Sequence, residues 1–384
     1  MSAFAILQRL LFPVWMLLIL LNSFYGYHHP FLNWDAFPYT GLGIEAGHTE
    51  AGRPASLREA AQQDLIQAYG REAIDALNGA NAYTRTVAQD DAAFESQLPF
   101  YRVKPLYIST IGVVGHALGS YARAAFLICG VCFVGVGLAL WRIRPAGFSP
   151  MAWFVLLLVL LFNSGTRLHW MAWAASPDPL AIVFFLAGFY GLFCKPALYW
   201  VPVCFGLSVW ARPDYMVFET GLLALYFWHS RSLRERSVCL GTAVLLVVLY
   251  FANTLSHQSY PMVALWQQAI LGPFAHTPPL QAPADFAGVY WQAVQLDLAT
   301  IFTRPPVYFC FAALAYVLAR GNPVHKALGV LAMGIFFFRV LLLPIYEWGV
   351  QERFFFMSYV VLLYGVAGTY AQTTPTRGNE WLRQ

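Results

Sequence analysis

The sequence predicts an all-α polytopic membrane protein, a bundle of about ten membrane segments. Of its 384 residues, 59% are hydrophobic and 11% are charged, whereas about a quarter of a soluble domain is charged. Several apolar runs approach the ~20 residues that a helix needs to cross a bilayer, and in lipid such runs must be helical to satisfy their backbone amides. Many of the 13 Trp lie beside the ends of these runs, as interfacial aromatic belts do.

We expect the whole chain, 1–384, to form a single transmembrane domain with two long polar loops, 28–105 and 258–303. The first apolar run, 10–21, follows Arg9 and has no small-residue cleavage site after it, so an uncleaved first span is expected rather than a signal peptide. The six cysteines lie in or beside apolar runs, and the sequence therefore does not predict a disulfide framework.

The distribution of basic residues predicts the orientation, because short cytoplasmic loops are enriched in Lys and Arg. Alternating spans place all the basic clusters on one face, which is then cytoplasmic. Both termini are expected on that face and the two long loops outside, which suits a bacterial inner membrane. The clusters are Arg9, Arg142/Arg144, Lys195, Arg231/Arg234/Arg236, Arg320/Lys326 and Arg377/Arg383.

Two regions do not fit simple spans. Residues 106–141 would measure roughly 54 Å as one helix, so we expect a short surface helix over 106–119, a break at Gly119, and a true span over 122–141. Residues 198–229 contain two half-length apolar runs joined by Arg-Pro-Asp (212–214). Interrupted short segments that carry charge are typical of binding sites in membrane proteins.

The first polar loop is expected to be ordered. Ser56-Leu57-Arg58-Glu59 fits a capping box, and apolar positions at helical spacing continue to Asn78-Gly79. A second amphipathic stretch leads from Tyr83 to Pro99. These helices are expected to lie along the membrane surface, with a weaker analogue at 262–271 in the second loop.

Asp35 is the first candidate for chemistry. It lies just after the first span, among Trp34, Phe37 and other aromatic residues that favour the membrane interface. A carboxylate placed there could act as a general base on an attacking hydroxyl, which typically contributes about 10²–10⁴ in rate. The alternatives are a helix cap or a solvated loop acid.

Two further polar pairs occur in the same loop. Glu45 and His48 combine a carboxylate with an imidazole and could bind a divalent metal ion, although this spacing is common by chance. Arg102 and Lys104 are basic residues on the outer face, immediately before Pro105 opens a helix. Cations at a helix N-terminus suit phosphate; the alternative is that both side chains reach lipid headgroups.

Further charges mark the later spans. Asp178 opens the fourth span and is either a dipole-stabilised cap or part of a polar cluster. Arg212 and Asp214 are expected below the outer surface, inside the protein. Arg123 and Arg339 fall near or within apolar runs and should face protein rather than lipid. A last charged pair, Glu352 and Arg353, precedes the final span.

These motifs together resemble the GT-C superfamily of membrane glycosyltransferases. The resemblance consists of Asp35 after the first span, the long first loop, Ser-Pro-Asp-Pro-Leu (176–180), Arg-Pro-Asp (212–214) and Glu-Arg-Phe (352–354). The segment 97–107 is also similar to one found in uncharacterised bacterial membrane proteins. The chain departs from the family pattern at Ala36, where many members have a second acid, and it lacks the proline that often follows the last arginine.

The resemblance implies transfer of a sugar from a polyprenyl-phosphate donor to a glycan, lipid or protein acceptor on the extracytoplasmic face. Asp35 would then be the base or a metal ligand, and Arg102, Lys104 and Arg353 would bind donor phosphate. Asp178, Arg212, Asp214 and Glu352 complete the expected substrate site, with a possible divalent metal ion.

Two other function classes remain open. A multi-pass transporter or lipid flippase also has broken hairpins and buried charges, but the sequence shows no internal repeat. A non-catalytic scaffold would lack a cavity beneath the first loop. Outside the membrane segments there is no basic stripe with interleaved aromatics, so membrane lipids and a lipid-linked sugar are the expected partners, and nucleic acid is not.

Overall fold

A computed structural model describes residues 3–49, 52–79, 81–162, 168–195, 197–255, 285–342 and 355–373, together with 344 and a few positions between 265 and 276. Within these residues the fold is all-helical, and its one β-type contact is an isolated bridge between Phe31 and Ala174. A short 3₁₀ turn, Leu168–Ala172, precedes the helix Asp178–Phe189, and a π-helical turn, Tyr190–Cys194, follows that helix. The helices are α1 (Ala3–His28), α2 (Ala36–Gly47), α3 (Leu57–Tyr69), α4 (Glu72–Gly79), α5 (Ala82–Gln89), α6 (Asp91–Gln97), α7 (Pro99–Arg102), α8 (Pro105–Leu118), α9 (Tyr121–Arg142), α10 (Pro150–Phe162), α11 (Asp178–Phe189), α12 (Val201–Ala211), α13 (Tyr215–His229), α14 (Leu233–Leu255), α15 (Phe286–Ile301), α16 (Pro305–Arg320), α17 (Pro323–Leu342) and α18 (Phe356–Thr373).

Fewer helices are long enough to cross a membrane than the sequence predicted. In the described part of the chain, 4 helices have the length and hydropathy of a span, or 5 if α15 and α16, which are bent by 82°, count together. The expected ten included helices of 10–17 residues, and at 1.5 Å per residue these are shorter than the ~30 Å apolar core. The long helices indicate a membrane protein; they are Gln8–His28, α9, α14 and α17.

Both predicted breaks are confirmed. Helix α8 ends at Gly119, whose φ of 68° is left-handed, a conformation that glycine adopts without the strain of a side chain. Ser120 then caps α9 by accepting a hydrogen bond from the backbone N–H of Arg123. Residues 212–214 likewise separate α12 from α13. Both breaks therefore bring polar residues to the ends of apolar helices.

The described residues of the first polar loop form six short helices from residue 36 onward, α2 to α7. Ser56 caps α3 as predicted, by accepting from the N–H of Glu59 at 3.1 Å, but the helix ends early at Gly70, where φ is 85°. Helix α2 was not predicted from the sequence, although most of its residues are buried. This helix forms the platform of the loop, because Phe94 of α6 packs on Phe37 with ring centroids 4.6 Å apart.

Asp64 connects the surface helices to the bundle. Its carboxylate accepts hydrogen bonds from the backbone N–H groups of Tyr121 and Ala122, both at 2.7 Å. These amides belong to the first turn of α9 and have no partner within the helix. The negative charge also complements the helix dipole, so α3 is held against the start of a long apolar helix.

The second polar loop differs from its prediction. Helix α15 occupies residues 286–301, which were expected to be loop, and α16 follows after a sharp bend. Half of the weaker helix expected at 262–271 lies outside the described residues. Gln292, Gln295 and Asp297 interrupt the apolar sequence of α15, which explains why its composition resembled a polar connection.

Candidate functional site

Asp35 stands at the junction between the first loop and α2. It occupies the N-cap position of α2 but its side chain makes no capping hydrogen bond. The carboxylate instead accepts from the amide of Asn33 at 3.0 Å and from the hydroxyl of Tyr101 at 3.2 Å. The cap alternative is therefore not the role of this side chain; two donors from different segments orient it.

Tyr101 is a proton donor in this contact. Burial, reinforced by the nearby Asp35 carboxylate, raises the pKa of Tyr101 well above its usual value. The phenol consequently keeps its proton at neutral pH and can only donate to Asp35. This bond fixes the orientation of one carboxylate oxygen of Asp35.

Backbone bonds place the Asp35 segment beside the segment that precedes α11. The N–H of Phe31 donates to the carbonyl of Trp173 at 2.8 Å, and the amide of Asn33 reaches the carbonyl of Ala175 at 3.5 Å. Because Ser176 and Asp178 follow directly, the first carboxylate and the buried acid of α11 belong to one neighbourhood.

Asp178, Arg212 and Asp214 form a charged cluster at the ends of three helices. Asp178, 2% exposed, is ion-paired with Arg212, 8% exposed. Arg212 also donates from Nε to Asp214 at 2.8 Å, and the hydroxyl of Ser176 donates to Asp178 at 2.5 Å. The structure thus brings together the expected polar residues of α11 and of the broken hairpin.

Lys104 lies between Asp35 and this cluster. Its Nζ is 5.1 Å from the ring centroid of Tyr101 and donates to the carbonyl of Phe100 at 2.8 Å. It also interacts electrostatically with Asp214, as do Arg212 and Arg339. The contacts therefore form one connected group of polar residues, which we call the polar cluster: Asn33, Asp35, Tyr101, Lys104, Ser176, Asp178, Arg212, Asp214 and Arg339.

A small cleft opens beside the cluster. Asp178, Arg212, Asp214 and Arg339 line it together with apolar side chains of α13, α17 and α18. Its volume is about 40 Å³, which is room for a few water molecules. A sugar or a lipid phosphate would require the cleft to widen, so the described conformation is closed to substrates of that size.

Arg102 belongs to a different group from Asp35. Its guanidinium binds both oxygens of Glu45, at 2.9 and 2.8 Å, and Arg53 also contacts Glu45 at 2.9 Å. Glu45 lies ten residues along α2 from Asp35, about 15 Å at helical rise. Of the two basic residues before Pro105, the structure therefore brings Lys104, and not Arg102, to the polar cluster.

The proposed metal pair does not fit a divalent ion in this arrangement. Two guanidinium groups surround Glu45, and a cation there would be repelled. The Nδ1 atom of His48 lies 2.8 Å from the carbonyl of Ile44. Among the described residues, no group of three or more His, Cys, Asp or Glu could hold a metal.

The remaining expected residues are placed as follows. Glu352 and Arg353 lie outside the described residues, so their substrate-binding role stays a prediction. Arg123 is exposed at the start of α9 rather than facing protein, whereas Arg339 lines the cleft as expected. Asn33 and Tyr101 were not among the predicted site residues, although each stands within a few residues of a candidate and carries a hydrogen-bond donor for a carboxylate.

No family model, no curated protein and no solved structure matches this chain.

Proposed function

We propose that the protein transfers a sugar from a polyprenyl-phosphate donor to a hydroxyl acceptor at the membrane surface. The observation that carries this proposal is the polar cluster, in which a positioned carboxylate lies in one connected group with three cations. The side chains come from segments far apart in sequence and meet at the ends of apolar helices. A substrate whose phosphate is anchored in lipid would reach this site once the cleft widens.

In this mechanism Asp35 is the general base. The acceptor oxygen attacks the anomeric carbon, a new C–O bond forms, and Asp35 takes the proton from the hydroxyl. The bond between the anomeric carbon and the phosphate oxygen breaks, and its electron pair leaves with the polyprenyl phosphate. Tyr101 and Asn33 hold the carboxylate for this transfer, and no step uses a metal ion.

The cations of the cluster stabilise the leaving phosphate. Lys104, Arg212 and Arg339 all interact electrostatically with Asp214, whose side chain is 43% exposed. A donor phosphate can therefore replace the Asp214 carboxylate as their partner, while Asp178 keeps Arg212 in place. Preorganised cations facing a developing negative charge are a large contribution to such catalysis.

The test is a comparison of products in a strain that lacks the gene. Complementation with wild type is expected to restore one glycosylated product and to consume a lipid-linked sugar, both followed by mass spectrometry. Asp35→Asn should lose about 10²–10⁴ in transfer while expressing normally. Asp75→Asn, which changes an exposed acid on α4, is the matched control and should behave as wild type.

Two outcomes contradict the proposal in different ways. Full transfer by Asp35→Asn removes Asp35 from the chemistry. If the strain that lacks the gene accumulates the lipid-linked sugar only on the cytoplasmic side, and its isolated membranes still transfer the sugar, the protein is the alternative flippase.

A further inference from the structure

Glu219 is a buried carboxyl group that the proposed transfer reaction does not use. It lies in α13, one turn after Tyr215, and is 0% exposed. Its neighbours on the same helix, Phe218, Leu222 and Leu223, are buried as well. The group therefore stands in the apolar interior of the bundle, beyond the residues that line the cleft.

Both carboxyl oxygens of Glu219 lack a hydrogen-bond partner among the described residues. The hydroxyl of Ser208 on α12 lies within interaction reach of Glu219. It is also 0% exposed and also lacks a hydrogen bond of ordinary geometry. Three unpartnered oxygen atoms thus meet in one buried place. An unpartnered buried acceptor is costly, and native structures rarely tolerate it without a ligand.

No cation of the described chain neutralises Glu219. The titratable groups on the helices packed around it are Asp178, Tyr190 and Cys194 (α11 and its π-helical turn), Cys204 (α12), Tyr215, Tyr226 and His229 (α13), Arg234, Glu235, Arg236, Cys239 and Tyr250 (α14), and His325, Lys326 and Arg339 (α17). Of these, Cys204 interacts with Glu219. Asp178 pairs with Arg212, Arg339 interacts with Asp214, and Glu235 and Arg236 bond Ser230. Burial and Ser208 are the influences on Glu219, and no cation is among them.

We propose that Glu219 is a proton-binding site, occupied at neutral pH, inside the helix bundle. An ionised carboxylate in apolar surroundings without a cation is strongly disfavoured, and such a group normally takes up a proton instead. A protonated Glu219 gains an O–H donor that Ser208 can accept, which satisfies part of the unpartnered set. A sodium ion would need several more oxygen ligands than Glu219 and Ser208 supply.

Infrared difference spectroscopy of the full-length protein in lipid vesicles tests the site directly. We expect the carbonyl stretch of a protonated carboxylic acid at neutral pH in wild type, and its loss in Glu219→Gln. Glutamine has the shape of the protonated acid, so this variant should fold with unchanged thermal stability. If the difference spectrum between wild type and Glu219→Gln shows no band of a protonated carboxylic acid, the proposal is overturned.

Chemical modification gives a second readout. A hydrophobic carbodiimide adds the O–H of a protonated carboxyl across its C=N bond to form an O-acylisourea, which rearranges to a stable N-acylurea. Peptide mass spectrometry should find this adduct on Glu219 at neutral pH and not on Glu59, whose side chain is 62% exposed. If sodium chloride abolishes both the infrared band and the labelling, and an equimolar potassium salt does not, then the site binds sodium and the assignment to a proton is overturned.

Discussion

Replacement of Arg212 by Met is the sharpest test of how the polar cluster is held together. The substitution keeps an unbranched side chain but leaves Asp178, 2% exposed, without its cation. Removing one partner of a buried ion pair typically costs about 3–5 kcal/mol, because the remaining charge is uncompensated. The Asp178→Asn variant should cost less, about 1.5–3 kcal/mol, since Arg212 keeps its bond to Asp214 at 2.8 Å.

The double variant Arg212→Met/Asp178→Asn tests whether the two side chains act as an ion pair. With Arg212 gone, changing Asp178 to Asn removes the uncompensated charge, so the pair of substitutions should be less destabilising than Arg212→Met alone. Interaction energies of about 0.5–3 kcal/mol are expected for residues in direct contact. If the stability lost by the double variant equals the sum of the losses in the two single variants, the ion pair contributes little.

Thiol exposure on heating is a suitable assay. Cys129, 1% exposed, donates its thiol to the carbonyl of Ser176 at 3.3 Å, so it is protected while this part of the fold is intact. A dye that fluoresces on reacting with thiols reports the midpoint of unfolding in detergent. Arg236→Met is the matched control; Arg236 is exposed and bonds a backbone carbonyl at 3.0 Å, and its loss should cost below about 1 kcal/mol.

Three further predictions concern the first loop. Asp64→Ala should cost about 1–2 kcal/mol, as the loss of a helix cap does, and should speed proteolysis within α3 at neutral pH, an effect absent in Asp75→Asn. Lys104→Met should reduce the rate of transfer from a lipid-phosphate donor by about tenfold or more, which corresponds to the free energy of one charge-assisted hydrogen bond. Arg102→Met should reduce this rate less, and equal losses in the two variants would indicate that Arg102 also binds the donor. Hydrogen bonds from Ser56 and Arg58 lower the pKa of Asp91 in the folded protein. These bonds therefore stabilise the fold fully above the ordinary aspartate pKa of about 3.9, and the stabilisation is lost as the pH falls through the lowered pKa of the folded state. Hydrogen exchange of α3 and α6 should rise in that acidic range, and an Asp91→Asn variant should show no such rise.

The breaks of the helices could be predicted from the sequence because their causes are local. A glycine at the end of an apolar run and the Arg-Pro-Asp segment act within a few residues, and the structure has them where the sequence indicated. The number of spans could not be predicted in the same way. Apolar composition reports burial, and a half-length helix buried inside a bundle has the same composition as a piece of a span.

The sequence predicted most charged residues of the polar cluster but not which of them contact one another. Asp35, Asp178, Arg212 and Asp214 were candidates because charges are rare in such a chain. Which of the two neighbouring cations joins the polar cluster depends on the direction of each side chain at and just after α7, and on Glu45, which binds Arg102. Glu219 gave no local indication, since its unusual surroundings are created by helices that pack only in the folded protein.

The main-chain bonds between the segment after α1 and the segment before α11 limit the lengths of both connections. Phe31 contributes its backbone N–H and Trp173 its carbonyl, so substitutions of these side chains leave the bond available. A one-residue insertion between 31 and 35 would instead displace the first carboxylate relative to Asp178. Homologous chains should accordingly vary in side chains at 31 and 173 while conserving the spacing, and deletion or insertion scanning should find this stretch far less tolerant than the exposed turn at Gly70.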